Sequence, residues 1–494
     1  MTRTLTGKHK NKSHQKFQLF YLILGPAVAL LAYHLVPDLS VGLDGKPIAF
    51  GTASKVTAAL TAWMAVWWLT EAIPVYATAL LPMAILPLSG AQSIHVTAAS
   101  YAHPMIFLFL GGFILALALE RWELHKRFAL RVIRTVGTTP KVVVGGFMFV
   151  SALLSMWITN TATTMVMLPI ALSIIHLHPD DDSKQNFSLC LLLGIAYASS
   201  IGGIGTLIGT VPNMFTASFI ADHLGTPISF ARWMLIGVPM VIVMVPLAWL
   251  LLTRFIYPPG SQPIAESQFD LSTTHWSTGG KLTLLVFLLT AAAWITRPLL
   301  VKLPGLSGLT DSGIAIIAAL LLFVIPANLP ANGRKCQFLV DWQTVERLPW
   351  GILLLLSGGI ALASAISSFG ISELLALQLS QLGNVQPVVM TLLVVTLIIF
   401  LTEITSNTAT TTSLVPILSA MAIGMGIDPL SVIIPATLAA SCAFMLPVAT
   451  PPNAIVFGSK LIQIPQMARA GIWLNITGIF VISLLCQLLL QYIH

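Results

Sequence analysis

The sequence predicts an all-α polytopic membrane protein whose chain is internally duplicated. Residues of the set AVILMFWYC make up 56% of its 494 positions and charged residues only 8%, whereas soluble domains carry about 25% charged residues. Apolar runs of about 20 residues are long enough to cross a hydrocarbon core of about 30 Å. Such runs are centred near positions 27, 65, 112, 195, 245, 289, 318, 356, 438 and 482.

The duplication is visible in a polar cluster that occurs twice inside charge-free apolar sequence. The copies are Thr-Asn-Thr-Ala-Thr-Thr at 159–164 and Ser-Asn-Thr-Ala-Thr-Thr at 406–411, which are 247 positions apart. A pair of glycines at 111–112 recurs at 358–359, at the same offset. Hydrocarbon holds no water to satisfy hydroxyls and amides, so polar clusters at membrane depth indicate mutual contacts, a cavity or a bound solute.

The N-terminal segment 1–16 is polar and basic and leads directly into a first apolar span. A second basic group lies between spans, from Arg121 to Lys141. Because Lys and Arg concentrate on the cytoplasmic side, both segments are predicted to be cytoplasmic in a multi-pass protein of the cell membrane, with the lipid bilayer as its partner. The net charge of +7 is read as this bias, and no nucleic-acid partner is expected. The four single cysteines are interpreted as packing residues.

The stretch 142–179 contains no Asp, Glu, Lys or Arg in 38 residues. As one straight helix it would be about 57 Å long, nearly twice the hydrocarbon core. Thr and Asn favour helix caps over helix interiors, which places a break at 159–161. The sequence therefore predicts a hairpin, in which one helix enters, the chain turns at the cluster, and a second helix begins at the turn.

A second hairpin, over about 388–426, is predicted around the second cluster. Between Leu374 and Ile427 the only acidic or basic side chain is that of Glu403, four residues before Asn407. An ionisable side chain at membrane depth is costly and hints at function. Glu403 and Glu71 are nevertheless interpreted as fixed structural partners for hairpin or interfacial backbone.

Each half also contains a second interruption of an apolar span, at 202–213 and at 449–453. Gly and Pro there unwind a helix and free backbone carbonyls for cations, whereas the helix N-termini at Asn160 and Asn407 suit anions. Neither the clusters nor the interruptions contain Lys or Arg. An entering anion would then be met by helix dipoles, by Asn and Thr donors and by co-bound small cations. The pattern predicts cation-coupled anion transport.

A polar connection at 257–280 joins the two halves. If an odd number of spans separates the halves, they face opposite sides of the membrane, as in the inverted repeats of many secondary transporters. The sequence leaves this parity open.

These segments together resemble the divalent anion:sodium symporter family, whose mark is a Ser-Asn-Thr motif in each of two re-entrant hairpins. The copy at 406–408 matches the motif, and the copy at 159–161 has Thr in place of the first Ser. The likeness covers nearly the whole chain, including Trp-Leu-Thr-Glu-Ala-Ile-Pro at 68–74 and Ala-Thr-Pro-Pro-Asn at 449–453. It implies an inverted repeat of about eleven transmembrane helices plus two re-entrant hairpins, in a homodimer that transports by an elevator mechanism.

The resemblance also implies that the chain divides into a static scaffold and a mobile transport domain. The scaffold would comprise 17–135 and 281–385. The transport domain would comprise 136–256 and 386–494, with one hairpin in each part.

By motif position, the resemblance implies two sodium sites and one substrate site. The first sodium site would use Ser155, Thr159, Asn160 and the backbone of Gly209. The second would use Thr402, Thr405, Asn407 and the backbone of Ala449. The substrate carboxylates would meet Asn160, Thr161, Thr210, Asn407, Thr408 and Thr450. Val211 stands where the second half has Pro451, a difference that bears on substrate fit. No cofactor is implied beyond co-transported sodium.

The resulting hypothesis is sodium-coupled symport of a C4-dicarboxylate such as succinate, malate or fumarate. The alternatives are a sodium-independent dicarboxylate or anion exchanger of the same fold, and a symporter for citrate, 2-oxoglutarate or sulfate. An intramembrane enzyme would need a Ser/His, paired Asp or His-rich site at depth, and the sequence supplies no such pattern. A channel would not need two symmetric occluding hairpins.

Overall fold

The computed structural model describes residues 5–41, 47–124, 127, 137–178, 183–263, 277–328, 337–371, 373–374 and 386–490. The helices of the first half are α1 Leu5–Leu35, α2 Thr52–Thr70, α3 Val75–Thr78, α4 Leu81–Leu88, α5 Ile94–Tyr101, α6 Pro104–Arg121, α7 Pro140–Ser155, α8 Asn160–Leu177, α9 Ser183–Gly203, α10 Val211–His223 and α11 Phe230–Leu250, which continues as a π-helix over Leu251–Ile256. Those of the second half are α12 Thr278–Leu300, α13 Asp311–Val324, α14 Trp342–Val345, α15 Trp350–Ser368, α16 Pro387–Thr402, α17 Asn407–Gly424, α18 Leu430–Ala440, α19 Pro451–Phe457 and α20 Ile464–Leu489.

Strands occur, within the described ranges, only as two short antiparallel pairs. β1 (Leu39–Val41) pairs with β2 (Pro47–Ala49), so that Leu39 faces Ala49. β3 (Pro326–Asn328) pairs with β4 (Gln337–Phe338). The predicted all-α polytopic fold is confirmed, because the described part of the chain otherwise forms helices, most of which are apolar.

Six helical segments of the described chain are long and apolar enough to cross a membrane. They are Ile94–Arg121, Ser183–Gly203, Phe230–Ile256, Thr278–Leu300, Trp350–Ser368 and Ile464–Leu489. Seven further apolar helices are shorter, at 10–17 residues. Of the helices of the two predicted hairpins, α7, α8 and α16 are among these shorter helices, and α17 has 18 residues. That the hairpins are re-entrant stays a prediction.

The predicted break in the first hairpin is present. Helix α7 ends at Ser155 and α8 begins at Asn160. Thr159 between them has an extended backbone, and its hydroxyl accepts a hydrogen bond from the backbone N–H of Ala162. This is the N-cap arrangement that satisfies one of the free N–H groups at a helix start. In the second half, α16 and α17 begin and end 247 positions after α7 and α8.

A re-entrant hairpin places residues on either side of its turn at the same membrane depth. Phe149 on α7 and Met165 on α8 are both exposed, at 55% and 57%, and lie at similar distances from the turn. We expect spin labels or fluorophores on single cysteines at these two positions to be quenched by the same depth-matched lipid quencher. Depth-dependent quenching in vesicles is the measurement.

A control for this comparison comes from α11, which is long enough to cross the membrane. Leu235 and Leu250 on that helix are exposed and about 22 Å apart at 1.5 Å per residue. Cysteines there should report clearly different depths. If Phe149 and Met165 instead behave like the α11 pair, the first hairpin crosses the membrane and is not re-entrant.

Helix α9 lies at the centre of the molecule, and every residue from Phe187 to Gly203 is buried. Its glycines permit this, because helices can approach more closely where a side chain is missing. A Cβ atom at Gly202 would collide with the backbone of Ala152 on α7. Hence α7 and α9 pack backbone to backbone, which holds the first hairpin against the core.

The two repeats run in opposite directions. Leu117 and Glu120, at the C-terminal end of α6, line the same cavity as Pro349 and Ile352, at the N-terminal end of α15. The two helices carry the equivalent glycine pairs of the repeats, so equivalent helices are antiparallel. This decides the parity that the sequence leaves open, in favour of an inverted repeat.

The equivalent glycines Gly111 and Gly358 both lie at close crossings, against partners that the 247 offset does not relate. A Cβ at Gly111 would collide with the backbone of Ala315 on α13, and a Cβ at Gly358 would collide with the backbone of Ala79. Both close crossings therefore join the two segments that were predicted as scaffold, 17–135 and 281–385. The division into scaffold and transport domain itself stays a prediction.

Three of the four cysteines, and parts of the polar segments between helices, lie among the described residues. Cys190, Cys442 and Cys486 are buried and form no disulfide, in line with packing roles, while Cys336 lies outside the described residues. Parts of the basic tail 1–16, of the basic group after α6 and of the connection 257–280 also lie outside them.

Candidate functional site

The turns of both hairpins and both unwound segments meet at one cavity of about 950 Å³. Its lining includes all six residues predicted to bind substrate, namely Asn160, Thr161, Thr210, Asn407, Thr408 and Thr450. A cavity of this size is within the range of small-molecule sites. The structure therefore brings together two clusters that are 247 positions apart in the chain.

Four helices begin at this cavity. The residues that precede α8, α10, α17 and α19 all line it, and they are Thr159, Thr210, Ser406 and Thr450. The starts of α8, α10 and α17 carry unpaired N–H groups and a partial positive charge. At α19 the first two residues are prolines without an N–H, and the N–H groups of Asn453 and Ala454 are bonded to Thr450. The arrangement can bind an anion without any cationic side chain.

The unwound segments differ in how many N–H donors they offer. Val211 begins α10 and retains its backbone N–H, whereas Pro451 begins α19 and has none. Both residues line the cavity. The first half therefore offers one more backbone donor at this position than the second half, which gives the sequence difference a chemical meaning.

The two motif asparagines are held in matching orientations. The hydroxyl of Ser155 donates to Oδ1 of Asn160 at 2.6 Å, and the hydroxyl of Thr402 donates to Oδ1 of Asn407 at 2.7 Å. The carbonyl oxygen of Ala440 lies 3.0 Å from the same Thr402 hydroxyl and shares its single proton. Because each Oδ1 has a donor behind it, the amide N–H groups are left for the cavity.

Asn160 also lies against the C-terminal end of α9. A Cβ atom at Gly203 would stand 2.5 Å from Oδ1 of Asn160 and 3.1 Å from its Nδ2. Only a glycine leaves room for the amide in this position. The glycines that begin at 202 predict an unwound helix, and Gly203 among them also makes room for the side chain of Asn160.

The residues predicted for the sodium sites fall into two groups. Thr159, Gly209, Thr405 and Ala449 line the cavity, whereas Ser155 and Thr402 are fully buried behind the asparagines. The hydroxyl of Thr405 bonds to the carbonyl oxygen of Leu401 at 2.9 Å and to the hydroxyl of Thr410 at 2.7 Å. Hydroxyl and carbonyl oxygens are ligands that hard cations accept. Their assignment as sodium ligands stays a prediction.

Two further asparagines support the unwound segments, and the sequence did not single them out as functional. Nδ2 of Asn213 donates to the carbonyl oxygens of Gly203, Ile204 and Thr206. Nδ2 of Asn453 donates to those of Ala443 and Leu446.

Both of these asparagines are fully buried and gather carbonyls that the broken helices leave unpaired, which costs free energy if unsatisfied. Asn213 and Asn453 are 240 positions apart, as are Gly203 and Ala443. This second repeat offset, of 240 positions, is the sequence feature from which the shared role of Asn213 and Asn453 could have been predicted.

The hairpin turns are tied to these segments by different chemistry in the two halves. In the first half the hydroxyl of Thr206 donates to the carbonyl oxygen of Met156. In the second half the carboxylate of Glu403 accepts hydrogen bonds from the backbone. The interpretation of Glu403 as a partner for backbone groups is confirmed. Glu71, interpreted in the same way, has an exposed side chain that lines the cavity.

Charged side chains are found at the mouth of the cavity and not among the two motif clusters. Of the described lining residues, those with charged side chains are Glu71, Glu120 and Arg347. Glu120 and Arg347 also line a neighbouring pocket, beside the ion pair of Arg121 with Asp341 at 2.8 Å. The sequence did not identify Arg347, because it lies in a polar segment before α15 with no motif around it.

The comparison with known proteins agrees with this architecture. A family described as "Sodium:sulfate symporter transmembrane region" matches residues 27–492. The sodium-dependent dicarboxylate transporter SdcS of Staphylococcus saprophyticus is 42% identical over 500 residues, covering 98% of this chain and 93% of that protein. SdcS of Staphylococcus aureus (strain bovine RF122 / ET3-1) is 41% identical over 501 residues, covering 98% and 94%.

A solved structure shares the fold at low sequence identity. The YdaH transporter of Alcanivorax borkumensis superposes with a TM-score of 0.61 at 15% identity, covering 96% of this chain and 98% of that one. At this identity the likeness concerns the fold alone.

Proposed function

Because the chain belongs to the sodium:sulfate symporter family, we propose that it couples sodium entry to the uptake of a C4-dicarboxylate such as succinate, malate or fumarate. It is a transporter and not an enzyme. The relatives named as sodium-dependent dicarboxylate transporters support both the coupling ion and the substrate class.

The observation that carries the proposal is the convergence of four helix starts and two oriented asparagine amides on one cavity. Two motifs related by an inverted repeat present similar donors from opposite sides. A dicarboxylate has an anionic group at each end, so a two-sided donor site suits it better than it suits a monocarboxylate. Sodium would offset the anionic charge that helix dipoles only partly neutralise.

We assign the substrate carboxylates to the amide N–H groups of Asn160 and Asn407 and to the hydroxyl groups beside them. These hydroxyls belong to Thr161, Thr210, Thr408 and Thr450, which all line the cavity. Sodium would bind at each hairpin turn on the side of the asparagine Oδ1 atom, opposite the amide N–H groups that face the substrate. The first site would use Ser155, Thr159, Asn160 and the carbonyl of Gly209, and the second Thr402, Thr405, Asn407 and the carbonyl of Ala449.

Transport by an elevator movement is part of the proposal. The hairpins and the unwound segments would form the mobile domain that carries the cavity across the membrane, within a homodimer of the cell membrane whose N-terminus is cytoplasmic. The inverted relation of the repeats supports this, since exchanging the conformations of two inverted halves turns an inward-open cavity into an outward-open one.

The test is uptake of radiolabelled succinate into proteoliposomes, with an imposed sodium gradient and then with potassium alone. We expect uptake only with sodium. Equal uptake in both conditions would favour the sodium-independent exchanger of the same fold. Competition by unlabelled citrate or sulfate that exceeds competition by succinate, malate and fumarate would move the substrate assignment to those anions.

Thr159 provides a separate prediction about the first sodium site. Thr159→Ser keeps the hydroxyl and should leave the sodium response nearly unchanged. Thr159→Val keeps the shape but removes the oxygen, and an unmet ligand position should cost about 1–3 kcal/mol. We expect the sodium concentration for half-maximal uptake to rise roughly 5- to 150-fold.

The hydroxyl of Thr159 also caps α8 through the N–H of Ala162, and a cap alone stabilises by about 1 kcal/mol. Thermal unfolding therefore has to be measured beside uptake. A Thr159→Val protein that unfolds at a lower temperature but keeps the wild-type sodium response would show that Thr159 is a helix cap and not a cation ligand.

A further inference from the structure

Glu403 is a buried acidic side chain, and the hydrogen bonds that it accepts within the described part of the chain all come from N–H groups. It is 4% exposed and stands at the C-terminal end of α16, immediately before the turn of the second hairpin. Oε1 accepts from the backbone N–H of Phe444 at 2.7 Å and of Met445 at 2.9 Å. Oε2 accepts from the N–H of Met445 at 3.0 Å and of Leu446 at 3.1 Å.

A side chain from a third element completes this set. Nδ2 of Asn475, on α20, donates to Oε1 of Glu403 at 2.8 Å, and Asn475 is fully buried. All of these contacts are N–H groups, and a carboxylate is the form of glutamate that accepts without donating. Glu403 therefore connects the hairpin turn, the unwound segment and α20.

Apart from these hydrogen bonds, the surroundings of Glu403 disfavour a negative charge. A helix C-terminus carries a partial negative charge, so a carboxylate at the end of α16 opposes the helix dipole. Burial of a charge costs free energy unless it is well hydrogen-bonded. A neutral side chain could fill the same space, and this points to a use for the charge beyond packing.

The contacts of Glu403 lead directly to the predicted second sodium site. Leu446 donates its N–H to Glu403, and its carbonyl oxygen accepts from the N–H of Ala449 at 3.2 Å and from Nδ2 of Asn453 at 3.0 Å. On the other side, Glu403 is the neighbour of Thr402, which orients Asn407. Both walls of that site are thus fixed through one carboxylate.

The first site has no such group. The position equivalent to Glu403 at the 247 offset is Met156. There the turn is tied to the unwound segment by a neutral hydrogen bond from the hydroxyl of Thr206 to the carbonyl oxygen of Met156. Both halves therefore link the hairpin turn to the unwound segment, the second half through a carboxylate and the first half through a neutral hydrogen bond.

We propose that Glu403 is a positioning residue of the second cation site, and that its charge makes this site bind sodium more tightly than the first. The inference rests on the proposed function. Glu403 acts through the backbone that it holds and through its field, because a negative charge roughly 10 Å from a cation in a medium of effective dielectric about 20 changes the affinity by roughly tenfold.

The test compares the sodium dependence of succinate uptake in Glu403→Gln with that of the unaltered protein. We expect the sodium concentration for half-maximal uptake to rise roughly three- to tenfold, because one of the two sites is weakened roughly tenfold. The KM for succinate, measured at saturating sodium, should stay close to that of the unaltered protein. A purely structural role would instead lower the maximal rate or the yield of folded protein and leave the sodium response in place.

Thr206→Val is the matched control in the first half, since it removes the neutral tie and no charge. It should shift the sodium response much less than Glu403→Gln, and an equal shift would overturn the assignment of the effect to charge. Asn475→Leu keeps the carboxylate but removes one of its donors, and should shift the sodium response in the same direction by a smaller factor.

The outcomes separate this inference from the proposed function. Sodium-independent uptake by the unaltered protein overturns the proposed function and the inference with it. Sodium-dependent uptake with an unshifted Glu403→Gln response overturns the inference alone. Should Glu403→Gln not fold, as judged by size-exclusion chromatography in detergent, the folded Asn475→Leu variant decides, and an unshifted sodium response there overturns the inference.

Discussion

Replacing Asn407 with alanine is expected to abolish substrate uptake while the protein remains folded. Its Oδ1 is held by Thr402 and its amide lines the cavity, so one side chain would serve both a sodium ion and the substrate. Losing a hydrogen bond or ligand to a charged group costs about 1.5–3 kcal/mol, and two such losses together reduce uptake at least about 100-fold. Uptake by proteoliposomes with a sodium gradient is the measurement.

The inverted repeat makes a second variant informative. Asn160 has the same orientation through Ser155, so Asn160→Ala should be as damaging as Asn407→Ala. Thr412→Val, on α17, is a suitable control because the Thr412 hydroxyl bonds back to the carbonyl oxygens of Thr408 and Ala409. It should retain most of the uptake. If a stably folded Asn407→Ala protein takes up substrate at nearly the rate of the Thr412→Val protein, the assignment of Asn407 to the binding site is wrong.

Replacing Gly203 with alanine is expected to reduce uptake roughly 5- to 150-fold, although no cavity-lining side chain is changed. The added Cβ would stand 2.5 Å from Oδ1 of Asn160, a separation that real structures do not allow. Asn160 is held from behind by Ser155 and would have to leave its position. The loss of at least one hydrogen bond to substrate or cation, about 1–3 kcal/mol, sets the size of the effect.

Gly194 offers a control for Gly203 on the same helix. A Cβ there would also be crowded, since it would lie 2.9 Å from Cγ of Met148, but methionine is flexible and can move aside. Gly194→Ala should therefore keep uptake within a few-fold of the unaltered protein. Equal uptake by Gly194→Ala and Gly203→Ala would mean that the close approach to Asn160 has no bearing on transport.

The effect of a Cβ at this point should be confined to the first half. The residue of the second half that corresponds to Gly203, at the offset of 240 that relates Asn213 to Asn453, is Ala443. Ala443 already carries a Cβ, and its carbonyl oxygen still accepts from Nδ2 of Asn453. The repeats are thus alike in connectivity but not in the packing behind each asparagine.

Much of the local structure could be predicted from the sequence. Hydrocarbon cannot satisfy a run of Thr and Asn, and Thr and Asn prefer helix caps, so the break before Asn160 follows from residue chemistry alone. The second break follows from the duplication. The interpretation of Glu403 as a backbone partner is confirmed for a related reason, since a buried carboxylate needs donors and the backbone of a nearby unwound segment supplies them.

Other features required the folded chain. Thr402 and Ser155 stand five residues before their asparagines, and a turn can bring such pairs together, but spacing alone does not show that the hydroxyls lie behind the amides and outside the cavity. Likewise, nothing local in the sequence shows that Asn213 collects three carbonyls, or that Arg347 comes to the mouth of the cavity. These contacts depend on how unwound backbone and separate helices are placed.

The sequence by itself determined the class of protein, the duplication, the positions of the helix breaks and the absence of cationic side chains from both clusters. Each of these depends on composition or on short-range propensity, which are properties of a few neighbouring residues. Only the tertiary structure decided that the repeats are inverted, that both turns meet at one cavity, and that a carboxylate ties one turn where a hydroxyl ties the other. Those outcomes depend on contacts between residues about 40 to 250 positions apart, and such contacts are set by the packing of whole helices.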